Sequence, residues 1–376
     1  MSKSPTPYQH FVKRFFLVFV VCYMGIVAMN YWIDPAYIFV NKPRFYSRLA
    51  TIAQSGKNIA HLRNCDDRLF QKYYIATLEN PKDVIVLGSS RMMTFDSSLF
   101  PGYSFYNNSV TAASIEDHIA IYAMYRDKGF VPKIVVLGLD PWLLNKHSGT
   151  NGFVSLFPEY QNGLRRMGIT DDAKPTQISK AWYVQLFSPS YFKGSIQCLA
   201  ANVVHRKHFK YYETSNRQEN EMVELFDGSV SYDLRERNRS VEEVRSRALS
   251  NASNPIGLSN FTQLDSGAKQ KFEAFMETLL ADGVDIVLVL PPYHPATYPL
   301  LASSEKFRLI ASAEDYYVEF ANDRKIKIVG SFDPRRCQAS ETDFYDGEHA
   351  KLSLGSSILS FDAKRHRYAA AKNKPT

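Results

Sequence analysis

The sequence predicts an α/β fold in which helices cover both faces of a mostly parallel β-sheet. Short apolar runs typical of buried strands alternate with segments of helical periodicity, both before and after a long stretch that lacks this alternation. Parallel strands need crossover connections, and helical crossovers placed on both faces of the sheet give a three-layer domain. An uncharged N-terminal run adds a predicted transmembrane helix, and the stretch between the two halves adds an inserted region.

The predicted core elements follow one another in chain order. Before the insertion they are a strand at 83–87, a short edge strand at 104–107, a helix at 114–128 and a strand at 133–139. After it they are a helix at 266–281, a strand at 284–290, a helix at 303–322 and a strand at 325–329. Gly129 and Gly283 follow two of these helices, where glycine commonly ends a helix.

The N-terminal apolar run has the length of a membrane span. No charged residue occurs from Phe15 to Ile33, which is 33 − 15 + 1 = 19 positions, close to the ~20 residues that cross a bilayer as a helix. Lys13 and Arg14 precede it, and this charge bias predicts a cytoplasmic N-terminus. A cleaved signal peptide and a buried helix are the alternatives, but the run is long for the former and has no polar face for the latter.

The remaining chain divides by composition. We predict a cytoplasmic N-terminus at 1–14, an anchor at 15–33, a membrane-proximal connector at 34–81, the two halves of the core at 82–145 and 262–361, an inserted helical cap at 146–261 and a basic tail at 362–376. The cap region is rich in aromatic residues. Those residues can pack against the sheet, line a groove for sugar rings, or do both.

The net charge of +7 comes without a nucleic-acid recognition motif, so it does not indicate a nucleic-acid partner. An anionic lipid surface, an acidic glycan or a solvated tail are the counterparts it suggests. The histidines and cysteines show no metal-ligand spacing, and we expect neither a metal nor another cofactor.

Two short motifs carry the candidate chemistry. Gly88-Ser89-Ser90-Arg91 follows the first predicted strand, and Asp346-Gly347-Glu348-His349 lies near the C-terminus. A serine hydroxyl needs an adjacent base to accept its proton, and that base needs a third group to fix its tautomer. The three-residue spacing lets the Asp346 carboxylate accept from His349 Nδ1 while Nε2 points at a serine. The same motifs also occur as ordinary turns and helix caps.

Together, in this chain order, the motifs resemble the SGNH (GDSL-like) hydrolase superfamily. The resemblance covers roughly 83–110, 133–145 and 284–349, and it implies a flavodoxin-like three-layer domain. It places Ser90 at the position of the nucleophile and Ser89 at the family's usual aspartate. His349 would then be the base and Asp346 the residue that orients it, with Ser89 as the alternative nucleophile.

Two further motifs of the family are altered in this chain. Asn107-Asn108-Ser109 matches an Asn-x-Gly motif whose glycine amide binds the oxyanion, so the resemblance implies that role for the Ser109 amide. Either Asn107 or Asn108 could supply a side-chain donor or merely cap the strand. Asp140 stands where the family has an oxyanion-binding asparagine, and an ionised carboxylate cannot donate. Either Asp140 is protonated or turned away, or the oxyanion hole is built differently. Asp140 could also have a structural role and hold a loop amide or Arg91.

Arg91 and His294 complete the candidate site. Arg91 could hold Asp140 by a charge-assisted hydrogen bond or lie at the surface. His294 follows the strand at 284–290, where α/β sites gather, and is either a substrate contact on the pocket wall or a loop residue.

Within the superfamily, the chain is most similar to membrane-anchored DltD-like and alginate-acetylation-like bacterial proteins. This implies a single-pass protein of the bacterial cytoplasmic membrane with an extracytoplasmic domain that moves or removes an acetyl-type group on a cell-surface polysaccharide. A membrane-bound O-acyltransferase is the implied acyl supplier. A non-catalytic glycan-binding or assembly protein and a lipid-directed esterase are the alternatives.

Overall fold

The computed structural model describes residues 6–35, 39, 42–62, 65–170, 181–204 and 211–360. Its strands are β1 (Asn58–Ala60), β2 (Val84–Leu87), β3 (Phe105–Asn107), β4 (Ile134–Gly138), β5 (Tyr212–Thr214), β6 (Val223–Glu224), β7 (Val230–Ser231), β8 (Asp285–Leu290) and β9 (Lys327–Gly330). Its helices are α1 (Pro7–Ile33), α2 (Lys42–Gln54), α3 (Asp67–Thr77), α4 (Ile115–Asp127), α5 (Phe157–Arg166), α6 (Ala181–Val184), α7 (Pro189–Val204), α8 (Leu234–Arg237), α9 (Val241–Ser253), α10 (Ser266–Ala281), α11 (Tyr298–Ala302), α12 (Leu309–Asp323) and α13 (Leu352–Ser360). The basic tail at 362–376 lies outside the described residues.

Five strands form a parallel sheet in the order β3-β2-β4-β8-β9 within the described chain. This is the 2-1-3-4-5 order of a doubly wound sheet, whose direction of winding reverses between its first and third strands in sequence. Those strands are β2 and β4, which pair in parallel. All four residues of β2 are buried, as expected of an inner strand covered on both faces. The predicted α/β class with a parallel sheet is confirmed.

Each face of the sheet packs against its own apolar cluster. Ile85 and Leu87 of β2 belong to the larger cluster, which contains buried residues of α3, α4, α10 and α12. Val84 and Val86 point to the other face and pack in a cluster with residues of α13. Alternate side chains of one strand therefore bury on opposite faces, which produces the three layers.

A second, antiparallel sheet has the order β5-β1-β6-β7. β1 comes from the predicted connector, and its Ile59 pairs with Glu213 of β5 on one side and Glu224 of β6 on the other. The stretch at 146–261, for which we predicted a helical cap, therefore contains strands as well as helices α5 to α9. Pairing on both sides of β1 satisfies backbone groups that a lone strand would leave without partners.

Helix α1 is the one helix of the described chain that is long and apolar enough to cross a membrane. It begins at Pro7, where the Thr6 side chain caps it, and its apolar residues are largely exposed. Near its C-terminal end, Asn30 Nδ2 donates to Leu186 O at 2.8 Å and Tyr191 hydroxyl donates to Asp34 at 2.6 Å. The helix is thereby joined to the segment that contains α7.

Candidate active site

The first strand of the parallel sheet ends where the candidate nucleophile begins. β2 stops at Leu87, and a short 3₁₀ helix covers Ser90 to Met92. Ser89 is fully buried and caps this turn, because its hydroxyl accepts from the Arg91 amide at 3.2 Å. Ser90 is only half-buried, so its hydroxyl is the one presented at the carboxyl end of the sheet.

A chain of two hydrogen bonds joins Ser90 to His349, 259 residues away in sequence, and His349 to Asp346. Ser90 Oγ is 2.9 Å from His349 Nε2. His349 Nδ1 is 2.8 Å from Asp346 Oδ2. Asp346 Oδ1 accepts from the backbone amides of Glu348 and His349, each at 2.9 Å. Both carboxylate oxygens thus have hydrogen-bond partners, and the contact with Nδ1 favours the imidazole tautomer in which Nε2 can accept a hydrogen bond from Ser90 Oγ.

The pKa values of Asp346 and His349 are shifted in opposite directions by their mutual contact. Burial alone would raise the pKa of Asp346, but hydrogen bonds from the His349 ring and two amides lower it to about 2. Burial alone would lower the pKa of His349, but the hydrogen bond and charge of Asp346, together with Glu348, raise it above 6.5. An ionised Asp346 beside a more basic His349 is the arrangement that stabilises an imidazolium during proton transfer.

Arg91 and Asp140 form a fully buried ion pair behind the serine. Arg91 Nη1 donates to Asp140 Oδ1 at 2.9 Å, and neither side chain is more than 1% exposed. The Arg91 guanidinium also donates to Pro291 O at 2.5 Å and to Glu348 O at 3.3 Å, and it lies 4.1 Å from the centre of the Tyr293 ring. Arg91 therefore ties the ends of β2, β4 and β8 to the loop that carries His349. Burial raises the pKa of the Asp140 carboxyl, which the Arg91 charge opposes.

The groups that the sequence suggests as oxyanion donors make hydrogen bonds within the protein in this structure. The Ser109 amide donates to Asn107 Oδ1 at 2.9 Å, and Asn107 Nδ2 donates to the carbonyls of Met92 and Phe95, both at 2.8 Å. Asn108 Nδ2 donates to Gln71 at 2.7 Å and its Oδ1 accepts from the Tyr125 hydroxyl. The asparagines hold the Ser90 loop and α3 in place. Among the described residues no partner engages the Ser90 amide, which leaves it as the candidate oxyanion donor.

His294 lies behind the loop that carries Asp346, and it is not among the residues that line the Ser90 cavity. Its backbone amide donates to Gly347 O at 3.0 Å, and its ring meets Phe344 edge-on with centroids 5.3 Å apart. The side chain is fully buried. Of the two interpretations offered by the sequence, the structure favours a loop residue that supports the Asp346 segment.

A cavity of about 340 Å³ opens beside Ser90. It is lined by Leu62, Cys65, Asp67, Phe70, Ser90, Met93, Thr111, Met222, Glu224, Val230 and Tyr232. The last four come from the antiparallel sheet or its flanks, and sequence reasoning did not predict them as site residues. Burial raises the pKa of the Cys65 thiol well above its ordinary value, so this neighbouring sulfur is a poor nucleophile.

The cavity residues lack a sequence signal that could have identified them. Glu224 occupies a strand of two residues, and Tyr232 follows another strand of two. Neither lies in a motif or beside a predicted strand of the core. Within the described residues, no group of three or more histidine, cysteine, aspartate or glutamate side chains is arranged to hold a metal ion.

Comparison with known proteins gives a family but no curated relative. No curated protein matches the chain. The model of the family described as "Protein of unknown function (DUF1574)" matches residues 50–353, a segment that includes the Ser90, Asp346 and His349 positions and both sheets. Because the match extends over well more than half of the sequence, the chain belongs to the DUF1574 family.

Proposed function

We propose that the protein is an SGNH-type serine O-acyltransferase or esterase. The observation that carries this proposal is the chain of two hydrogen bonds that joins Ser90 Oγ to His349 and His349 to Asp346, at 2.9 and 2.8 Å. Both distances are within the reach required for a nucleophile, its base and the group that orients the base. The order of the motifs and the doubly wound sheet agree with the superfamily resemblance.

The reaction would begin with attack of Ser90 Oγ on an acyl carbonyl carbon. The serine proton moves to His349 Nε2, and the Ser90 amide stabilises the oxyanion. When the intermediate collapses, the bond from carbon to the leaving oxygen breaks, and Nε2 returns its proton to that oxygen. A seryl ester remains. Attack by an acceptor hydroxyl or by water, with His349 again as the base, releases Ser90 and completes transfer or hydrolysis.

The buried Arg91 bears on the replacement of the family's asparagine by Asp140. Asp140 replaces an oxyanion-binding asparagine in the resemblance, but its carboxylate accepts from Arg91 at 2.9 Å. The negative charge is therefore compensated within the protein and need not repel an oxyanion. The same arginine donates to Glu348 O, next to His349, so the substitution comes with a contact that positions the base.

We further propose that α1 anchors the protein in the bacterial cytoplasmic membrane, with the α/β domain on the extracytoplasmic side. The substrate would be an acyl group on a cell-surface polysaccharide, supplied across the bilayer by a membrane-bound O-acyltransferase. The length and apolar exposure of α1 support the anchor, and the superfamily resemblance supports the side, the polymer and the partner. Cysteine-labelling of positions introduced at 3 and 83 in intact cells tests the side: only position 83 should react with an impermeant reagent.

Hydrolysis of 4-nitrophenyl acetate by the purified full-length protein in detergent tests the chemistry. Wild type should release a burst of nitrophenol equivalent to the enzyme, followed by slower turnover, because a seryl ester accumulates. Ser90→Ala should lose both phases, whereas Ser89→Ala should retain them. Equal activity of wild type and Ser90→Ala would contradict the proposal.

A further inference from the structure

The cavity beside Ser90 has one wall from each sheet. Ser90 and Met93 come from the end of β2, and Glu224, Val230 and Tyr232 come from the antiparallel sheet and its flank. The two walls are joined directly, since the Val230 amide donates to Met93 O at 2.8 Å. A group bound against the second wall is therefore held next to the nucleophile.

The cavity wall from the antiparallel sheet carries a carboxyl group that has no protein partner among the described residues. Glu224 is half-buried and lines the cavity. Within the described chain, no hydrogen bond or ion pair reaches its carboxyl oxygens. Asp67, the other acidic residue of the lining, is occupied: it accepts from the Thr111 amide at 2.5 Å and from Arg68 at 3.3 Å. A partly buried carboxyl group without a protein partner needs a ligand or solvent to satisfy its hydrogen bonds.

The rest of the cavity lining has no side chain that would bind an anion. None of the described lining residues is basic, and five are apolar: Leu62, Phe70, Met93, Met222 and Val230. An anionic ligand would lie near Asp67 and Glu224 without a compensating cation. The volume of about 340 Å³ is within the range of small-molecule pockets and exceeds that of an engineered cavity of ~150 Å³ that holds benzene. The cavity therefore has room for more than an acetyl group.

We propose that this cavity receives an uncharged part of the substrate, larger than acetyl, and that Glu224 binds an oxygen of that part by donating a hydrogen bond. The inference rests on the proposed function, because it takes Ser90 as the nucleophile, and it adds the class of group that flanks the ester. Glu224 would then determine which substrates bind, without taking part in the proton transfer between Ser90 and His349.

The surroundings of Glu224 favour its protonated, donating form. Burial, followed by the charges of Asp67 and Asp227, raises the pKa of Glu224 well above its ordinary value. Burial also raises the pKa of Asp67, opposed first by Arg68. Two neighbouring carboxyl groups do not readily ionise together. Asp67 is paired with Arg68, so Glu224 is the one that stays neutral.

Fluorophosphonates with three different tails test the selection. The tails are of equal length and end in a methoxy, a sulfonate or a trimethylammonium group, and the second-order rate of Ser90 labelling is measured on the full-length protein in detergent. The methoxy reagent should label at least 10-fold faster than either charged reagent. Equal rates, or a faster sulfonate reagent, would overturn the inference.

Variants of Glu224 separate a neutral donor from a negative charge. Glu224→Gln keeps a donor and no charge, so it should label with the methoxy reagent within about 3-fold of wild type. Glu224→Leu should lose about 10-fold with that reagent, which corresponds to the ~1.4 kcal/mol of one hydrogen bond. The matched control is Glu213→Gln, which removes an exposed carboxylate of β5 that pairs with Lys57. We expect this variant to label at the wild-type rate. A preference for the ammonium reagent that Glu224→Gln abolishes would assign a cationic ligand and contradict the proposal.

Failure of this inference is distinguishable from failure of the proposed function. A tail-free methyl fluorophosphonate reports on Ser90 alone and should label wild type and every Glu224 variant at similar rates. If it labels normally but Glu224→Leu leaves tail selectivity unchanged, the inference is wrong and the proposed function stands. If wild type is not labelled at all, both are wrong. Unchanged thermal unfolding of the variants excludes misfolding as the cause.

Discussion

The two sheets of this protein differ in how they are built and in what they bring to the Ser90 cavity. The parallel sheet is made of buried strands of three to six residues, and its carboxyl ends carry Ser90 and Asp140. The antiparallel sheet is made of strands of two or three residues drawn from distant parts of the chain, and it provides Glu224. We propose that the core sheet positions the nucleophile, while the second sheet selects the group that binds beside it.

This division predicts that changes to the residues that exchange a proton with Ser90 alter the rate of reaction for all substrates alike. Asp346→Asn should reduce kcat for 4-nitrophenyl acetate by roughly 10⁴-fold, because the imidazole loses the partner that fixes its tautomer. His349→Ala should have a comparable effect. Steady-state kinetics with the folded variants check this, and Glu341→Gln, in the preceding turn and paired with Arg245, serves as the control. A loss in kcat smaller than 10-fold in Asp346→Asn would show that the contact between Asp346 and His349 does not control the reaction.

A second prediction concerns the stability that Arg91 gives to the parallel sheet. Arg91→Met leaves the Asp140 carboxyl buried without its cation and should lower the free energy of unfolding by about 3–5 kcal/mol. The double variant Arg91→Met/Asp140→Leu should recover part of this loss, because it removes both charges. Denaturant unfolding measures both values. If the double variant is no more stable than the single one, the ion pair does not account for the effect.

The pH dependence provides a third prediction. The pKa of His349 is raised above 6.5 by Asp346, so the neutral base becomes scarce below it and kcat/KM should fall about 10-fold for each pH unit. In stability the sign is opposite, because His349 binds a proton more tightly in the folded state than in the unfolded one. Its contribution is fully present below pH 6.5 and is lost as the pH rises through the folded value.

Profiles of kcat/KM and of unfolding between pH 5 and 9 measure the two effects together. In Asp346→Asn the residual activity should show a lower apparent pKa, because the carboxylate charge that raises the pKa of His349 has been removed. An apparent pKa that does not move in this variant would show that a group other than His349 controls the rate.

The smallest expected effect belongs to the outer wall of the cavity. Met222 lines it from just before β6 and is 41% exposed, so Met222→Ala should change the labelling rate of tailed fluorophosphonates by less than about 5-fold. The methyl reagent should be unaffected. A large loss with the methyl reagent would mean that the antiparallel sheet takes part in the chemistry itself, and the comparison would need revision.

The elements with a strong local signal were predictable from the sequence. Three predicted strands, at 83–87, 133–139 and 284–290, are predominantly apolar. The structure has β2, β4 and β8 within one or two residues of them. The helix at 266–281 has the predicted bounds. The convergence of Ser90 with Asp346 and His349 could be expected because spacing and residue type restrict such motifs, although their distance in sequence could not prove it.

The remaining features depend on pairings that no local pattern encodes. Asp140 is paired with Arg91, 49 residues away, and the Ser109 amide donates to the Asn107 side chain. The antiparallel sheet joins Ile59 to Glu224 across the whole first half of the core. Strands of two residues carry too little periodicity to be identified, and their stability comes from partners that only the folded chain brings together.

Identification of the residue modified by a methyl fluorophosphonate shows whether Ser90 is the nucleophile and His349 its base. The full-length protein is treated in detergent, digested and analysed by mass spectrometry. We expect a single adduct on Ser90, absent in Ser90→Ala and formed at least 100-fold more slowly in His349→Ala. No adduct on well-folded protein, or an adduct on Ser90 whose rate is the same without His349, would contradict it.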